Sequence, residues 1–276
     1  MPLSLRIIRD PGRPAWFNMA ADLRLMSRCV EEQSVFLRLY RWHPPALSLG
    51  FMQDVDATVD HEALRRRAVA CIRRPTGGRA VLHDDDITYS CIFPVGSPGM
   101  GTTIAETYHV ISRCLTAGLA RCGIVVEAHD TVLDSAEVRR EIKLPCFLAS
   151  NREELMAGGK KLAGSAQKRT DKAVLQHGSL PFGGAFRELP SLLNIPRRQR
   201  QLQRELLHRK CACIRDLNAD VDKDTVEACL SRGFAEILGI DPGGPDVWSA
   251  DEEAEVERFG TSEEFMGRWL PETTVA

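Results

Sequence analysis

Residues 103–123 can be little other than a long, capped helix, and this element constrains the fold class most. Thr103 and Glu106 have capping-box spacing, Ile104, Tyr108, Ile111, Leu115 and Leu119 recur as one apolar stripe that should face a core, and Gly123 is a stop. Around this helix lie short segments of both periods. Leu5 to Arg9, Val35 to Tyr40 and Ala46 to Gly50 read as strands, the last two divided by Pro44-Pro45, and Ala15 to Val30 reads as a helix. Ile124 to Ala128 continues as a strand, Thr131 to Leu144 is polar and irregular, and Glu153 to Met156 leads to a turn at Gly158-Gly159. Lys161 to Arg169 follows within the same β-rich stretch, and Ala173 to Pro181 alternates in part as hairpin strands do. From Ala185 the pattern turns helical; Thr225 to Leu238 is its most regular piece and Gly239 the stop. The mixture predicts an α+β fold with a largely antiparallel sheet.

No repeat, low-complexity run or linker divides the chain, so residues 1–245 are expected to form one catalytic domain, with 246–276 as an acidic helical tail. No apolar stretch approaches the ~20 residues that cross a bilayer, and MPLSLRIIRD lacks a secretory leader's apolar run, so a cytoplasmic protein is expected. The nine cysteines are scattered without zinc-type spacing, which predicts free thiols in a reducing compartment and no metal site. A net charge of -2 does not ask for nucleic acid or a membrane surface. Its distribution is uneven: Arg65 to Arg67 with Arg73, Arg74 and Arg79 form one basic cluster, Arg197 to Lys210 another, and Asp251 to Glu264 an acidic end. Each basic cluster reads as a solvated face or as a docking surface for an acidic carrier protein.

Three stretches can carry chemistry. In RRPTGGRAVLH, Arg73 to His83, adjacent Gly77 and Gly78 permit positive φ and close approach of a ligand to the main chain; a plain turn is the alternative. In GGKKLAGSAQ, Gly158 to Gln167, a lysine pair precedes small side chains that leave room above a strand. A lysine there can polarise a thioester carbonyl, or simply solubilise an exposed hairpin. In LPCFLAS, Cys146 becomes an acyl nucleophile only as thiolate, from a usual pKa of roughly 8.5, and Lys161 or His177 could supply the lowering charge or base. Against that stands the ordinary fate of a cysteine as a small buried hydrophobe.

These motifs, in order and followed by LQHGSL, resemble the signature of the family that unites lipoate-protein ligases, octanoyltransferases and biotin-protein ligases. Asn18-Met19-Ala20 and Ser48-Leu49-Gly50 with Gln53 also resemble family positions, so the likeness spans much of the chain. Arg79 stands where lipoate ligases typically show a third glycine, and Cys146-Phe147 ahead of the lysine hairpin is similar to the cysteine-dependent octanoyltransferases that use an octanoyl carrier protein. The family often carries Asp-Glu where this chain has Asp22-Leu23, which reads as divergence on a structural helix.

The resemblance implies a twisted mixed, largely antiparallel sheet flanked by helices, of the biotin/lipoate-protein ligase catalytic-domain type, with the acyl chain buried beside the Gly-Gly loop. It implies Cys146 as the nucleophile that forms an octanoyl thioester and Lys161 as the group over the acyl carbonyl, with Lys160 turned outward by strand alternation. Arg73, Arg74, Gly77, Gly78, Arg79 and His83 would form one wall of the substrate pocket, and Gly164, Ser165, Gln167 and His177 the other. A buried histidine with a backbone partner would account for His83 or His177 as well as proton transfer does. The implied donor is octanoyl-acyl carrier protein and the implied acceptor a lipoyl domain, such as glycine cleavage H protein or a 2-oxoacid dehydrogenase subunit, in lipoate biosynthesis. A monomer without cofactor is expected. The alternatives are an ATP-dependent lipoate or octanoate ligase, an amidotransferase between lipoyl domains, and an acyl-binding protein without transfer.

Overall fold

The computed structural model describes residues 4–129, 154–241 and 247–271. In chain order the elements are β1 (Ser4–Arg13), α1 (Ala15–Glu32), β2 (Ser34–Trp42), β3 (Ala46–Leu49), α2 (Val55–Thr58), α3 (His61–Arg66), β4 (Ala70–Arg73), β5 (Val81–His83), β6 (Asp86–Pro94), α4 (Ile104–Arg121) and β7 (Glu127–His129). There follow β8 (Glu154–Ala157), β9 (Lys160–Lys161), β10 (Gly164–Arg169), β11 (Ala173–Pro181), a 3-10 helix (Gly184–Leu192), α5 (Arg197–Lys210), α6 (Ile214–Leu217), α7 (Lys223–Leu238), α8 (Ala250–Gly260) and α9 (Glu263–Trp269). Among the described residues no helix is long and apolar enough to cross a membrane.

Mixed, largely antiparallel pairing is what the strands adopt, divided among three sheets. The main sheet runs β1-β2-β6-β11-β10, with β1 and β2 parallel and the remaining neighbours antiparallel. A second sheet, β4-β3-β5, and a third, β7-β8-β9, flank it. The predicted continuous strand from Lys161 to Arg169 is broken: Lys161 pairs with Met156 in the third sheet, while Gly164 pairs with Ser179 in the main one. Leu162 and Ala163, between them, are both buried. Across these two residues the chain passes from the third sheet into the main one.

Both faces of the main sheet are covered, which explains why every residue of β6 and β11 is buried. Leu37, Leu39, Tyr89, Cys91 and Phe93 pack against α4 and α7 through Ile111, Leu115, Leu230 and Phe234. On the other face Ile8, Phe36, Ile92 and Leu175 meet Leu25, Met26 and Cys29 of α1. The capping box of α4 forms as its sequence requires, with Thr103 and Glu106 each bonding the other's backbone. Its buried stripe is rotated from the one expected: Ile104 is 59% exposed, whereas Thr107, Cys114 and Gly118 are buried. The cause is helix contact. A Cβ on Gly233 of α7 would lie 2.3 Å from the Gly118 nitrogen, so the two backbones touch at this pair and set the rotation of α4.

The acidic C-terminal residues pack on α1. Val256, Phe265 and Trp269 join a core with Ala15, Phe17, Met19 and Ala20, and Glu253, Glu255 and Glu252 pair with Arg13, Arg24 and Arg28. Much of the basic surface is also internally matched, since Glu188 pairs with Arg67 and Arg204, and Asp60 pairs with Arg200 at 2.9 Å.

Candidate active site

A cleft opens where β2, β6, β10 and β11 of the main sheet meet β3 and β5 of the second. Met19, Tyr40, Trp42 and Val81 give it apolar walls; Ser48, Arg74, His83, Thr88, His177 and Ser179 contribute polar groups; Gly164, Ser165, Ala166 and Gly178 leave room along one side. Strand register places the polar groups: His177 and Ser179 lie two apart on β11, opposite Ser90 and Thr88 of β6, so all four project to the same face.

Behind the cleft is a buried ionic network anchored on Arg38. Its Nε donates to Asp10 Oδ2 at 2.6 Å, Nη1 to Asp22 Oδ1 at 3.1 Å and Nη2 to Asn18 Oδ1 at 2.7 Å. Trp248 Nε1 donates to both Asp10 oxygens, at 2.9 and 3.0 Å. Asp22 also accepts from Tyr40 OH at 3.2 Å and Ser90 Oγ at 2.9 Å, and faces His177 Nδ1 at 3.3 Å. His177 Nε2 lies 2.7 Å from Thr76 Oγ1 on the Gly-Gly loop. Burial by itself would raise the Asp22 carboxyl, but the His177 hydrogen bond, the Arg38 charge and the Ser90 hydroxyl outweigh it and hold Asp22 below the usual range. Burial pushes the His177 imidazole below its ordinary value, against the opposing pull of Asp22, so the ring is neutral at pH 7 with Nδ1–H donated to Asp22.

A group whose folded pKa is depressed contributes stability that is complete above its unfolded pKa and lost as pH falls toward the folded one. For His177 that loss begins below about pH 6.5, the unfolded value for histidine. Urea midpoints of the unaltered protein should therefore fall from pH 7 to pH 5.5 more steeply than those of His177→Gln; parallel curves would remove His177 as the cause.

The second histidine has a similar frame. His83 Nδ1 is 2.8 Å from Asp86 Oδ2 and His83 Nε2 is 2.8 Å from Ser48 Oγ. Asp86 Oδ2 accepts from Thr88 at 3.0 Å and Ser179 at 2.6 Å, and the Trp42 ring stacks on His83 at 4.1 Å and 15°. Arg74 Nη1 donates to Ser48 Oγ at 3.2 Å. Arginine only donates, so this contact suits Ser48 directing its own proton to a bare Nε2, with Nδ1–H given to Asp86. Neither histidine relies on a backbone partner alone: each imidazole stands between a carboxylate and a hydroxyl.

Of the positions singled out from sequence, Arg74, His83, Gly164, Ser165 and His177 line the cleft, and Arg73, Gly77, Gly78, Arg79, Lys161 and Gln167 are not among its lining residues. The Gly-Gly loop is drawn onto Arg74, whose guanidinium donates to the carbonyls of Ser48, Gly77 and Arg79 at 2.8–3.0 Å. Gly78 takes φ +95°, which favours glycine there, and a Cβ on Gly50 would fall 2.0 Å from the Gly78 carbonyl oxygen, so the backbone of the loop leaves no room for a side chain at Gly50. Arg73 turns away to the carbonyls of Phe51 and Gln53, and Gln167 bonds Gln176 at 3.0 Å. Lys161 is buried at 5% exposure beside an exposed Lys160, and its carbonyl accepts from Ala212 N at 2.9 Å, joining β9 to the end of α5. Cys146 lies outside the described residues, as does the segment from Thr131 to Leu144.

In the sequence Asp22 reads only as divergence on a structural helix, whereas in the fold it is the centre of this network. An arginine within the apolar strand VFLRLYRW and an aspartate on the inner side of α1 were the available signals, since buried charges occur almost only in pairs.

Residues 14–235 match the family model described as the lipoyl protein ligase A/B catalytic domain. The chain is 38% identical to octanoyltransferase LipM of Kyrpidia tusciae and 35% identical to octanoyltransferase LipM of Geobacillus kaustophilus, each over 96% of both chains. Among solved structures, lipoate-protein ligase A bound with ATP superimposes with a TM-score of 0.74 at 24% identity, covering 97% of this chain and 100% of that one. A bipartite lipoate protein ligase from Thermoplasma acidophilum gives 0.75 at 22% identity, over 96% of both. These structures share the fold, and with the family model and the full-length relatives they lead to one assignment: the chain belongs to the lipoyl protein ligase A/B catalytic domain family.

Proposed function

We propose that this chain is an acyltransferase that moves an octanoyl group from a carrier-protein thioester to the lysine of a lipoyl domain, such as glycine cleavage H protein, through a thioester on Cys146. The observation that carries octanoyl transfer is the 38% identity to octanoyltransferase LipM of Kyrpidia tusciae over 96% of both chains. The choice of Cys146 rests on the sequence resemblance and is supported by the other thiols. All eight described cysteines are buried, and burial pushes those of Cys29, Cys71, Cys114 and Cys122 up to about 12, far from thiolate at neutral pH.

Lys161 is the proposed cation for the acyl carbonyl, where negative charge gathers as the tetrahedral intermediate forms. Thiolate attack on the donor exchanges one thioester for another at little energetic cost, and transfer to an amine runs downhill, so no ATP is needed. An enclosed eight-carbon chain contributes on the order of 5 kcal/mol at about 0.8 kcal/mol per methylene, which suits an apolar-walled cleft.

The test is the intact mass of the protein after mixing with octanoyl-carrier protein in the absence of ATP. An octanoyl adduct removed by hydroxylamine is expected; its absence, with modification appearing only when ATP and free octanoate are added, would favour an ATP-dependent ligase.

A further inference from the structure

Aminolysis of a thioester has a proton problem. An acceptor lysine of ordinary pKa, about 10.4, is an amine in roughly one molecule in 10³ at neutral pH, so a base must take protons from the attacking nitrogen. Lys161, assigned above to the acyl carbonyl, is not among the residues that line the cleft. His177 lines the cleft but is closed by Asp22 and Thr76, and Thr76 is not among the lining residues. Ser48 and His83 both face the cleft, 2.8 Å apart, with Asp86 behind the ring. Trp42, stacked on His83 at 4.1 Å and 15°, fixes the plane of the ring that presents Nε2 to Ser48.

We propose that Ser48, His83 and Asp86 form the proton relay for the aminolysis step, with Ser48 meeting the acceptor amine and Asp86 positioning His83; this rests on the octanoyl-transfer reading above. The ammonium gives one proton to Ser48 Oγ as Ser48 passes its own to His83 Nε2, and His83 releases it to solvent. The amine then attacks the thioester carbonyl, the C–N bond forms and the C–S bond breaks. The second nitrogen proton follows the same path and is returned to the departing thiolate, leaving amide, thiol and neutral His83. Asp86 keeps Nδ1–H engaged and is itself fixed by hydrogen bonds from Thr88 and Ser179.

The experiment separates the steps. Unaltered protein, Ser48→Ala and His83→Gln are each loaded from octanoyl-carrier protein, freed of donor, and followed by mass with either a lipoyl domain or hydroxylamine, an amine already unprotonated at neutral pH. Release of octanoate to hydroxylamine, measured on the fraction of each variant that carries the thioester, is that variant's own reference, so any effect of these cleft residues on acyl binding cancels in the ratio of the lysine rate to the hydroxylamine rate. That ratio should fall by on the order of 10²-fold or more from its value in the unaltered protein. Equal slowing with both nucleophiles, or no slowing with the lysine, overturns the relay. If one variant fails to load, the other decides; failure of both to load while the unaltered protein loads would place Ser48 and His83 in acyl binding and overturn the relay. Absence of a loaded thioester on the unaltered protein overturns the octanoyl-thioester reading and the relay with it.

Discussion

Cys146→Ala should lose octanoyl transfer by about 10³-fold or more while melting at the temperature of the unaltered protein, because removal of a covalent nucleophile leaves only binding and electrostatic stabilisation to accelerate the reaction. The other cysteines offer no substitute among the described residues: all are buried, and the Cys91 thiol is raised well above its ordinary value by burial. Rates would be read by mass of the lipoyl domain, with the melting curve recorded on the same preparation. Transfer within threefold of the unaltered rate, an allowance of about 0.7 kcal/mol of barrier, would remove Cys146 from the chemistry and point to direct attack by the acceptor amine on the carrier thioester.

Arg38→Met should be the most destabilising single change in the site, costing about 3–5 kcal/mol of a total near 5–15. Arg38 is fully buried and neutralises Asp10 and Asp22, both nine-tenths or more buried, so the variant leaves Asp22 with hydrogen bonds alone and Asp10 with only the Arg13 guanidinium at 3.9 Å. The charge matters more than the lost packing, since methionine replaces most of the aliphatic stem. The loss should grow with pH above the carboxylate range, where Asp22 would have to ionise in a low-dielectric site without the Arg38 charge that helps to hold it down, and shrink in acid, where it takes up a proton. Urea titrations at pH 7 and pH 4.5 would show it; a difference below 1 kcal/mol at pH 7 would mean that relaxation or water already solvates the carboxylates. Asp22 connects Arg38 to His177, so transfer activity should fall as well, even though Arg38 does not line the cleft.

How far each feature could be read in advance follows the range of the interaction behind it. The capping box at Thr103 and Glu106, the left-handed stop at Gly239, the Gly158-Gly159 turn and the span Ala173 to Pro181 are all encoded within a few residues, and each appears where its local pattern puts it. The outward Lys160 and inward Lys161 follow from strand alternation alone. Family membership was legible for a related reason: ordered motifs survive as strings, whatever surrounds them.

Long-range packing is another matter. That Ile104 faces water follows from contact between Gly118 and Gly233, more than a hundred residues apart, and no window around Ile104 contains that fact. Arg74, read as a pocket residue, spends its donors on carbonyls of its own loop and of β3, a choice visible only once β3 and β4 are side by side. Asp22 and His177 are 155 positions apart, and His83 meets Ser48 across 35. Local chemistry in the chain therefore sets the elements, the family and the residue types available for acyl transfer; burial and hydrogen bonding across distant strands assign which of those residues face the cleft and which hold the frame, because desolvation decides what each polar group must pair with.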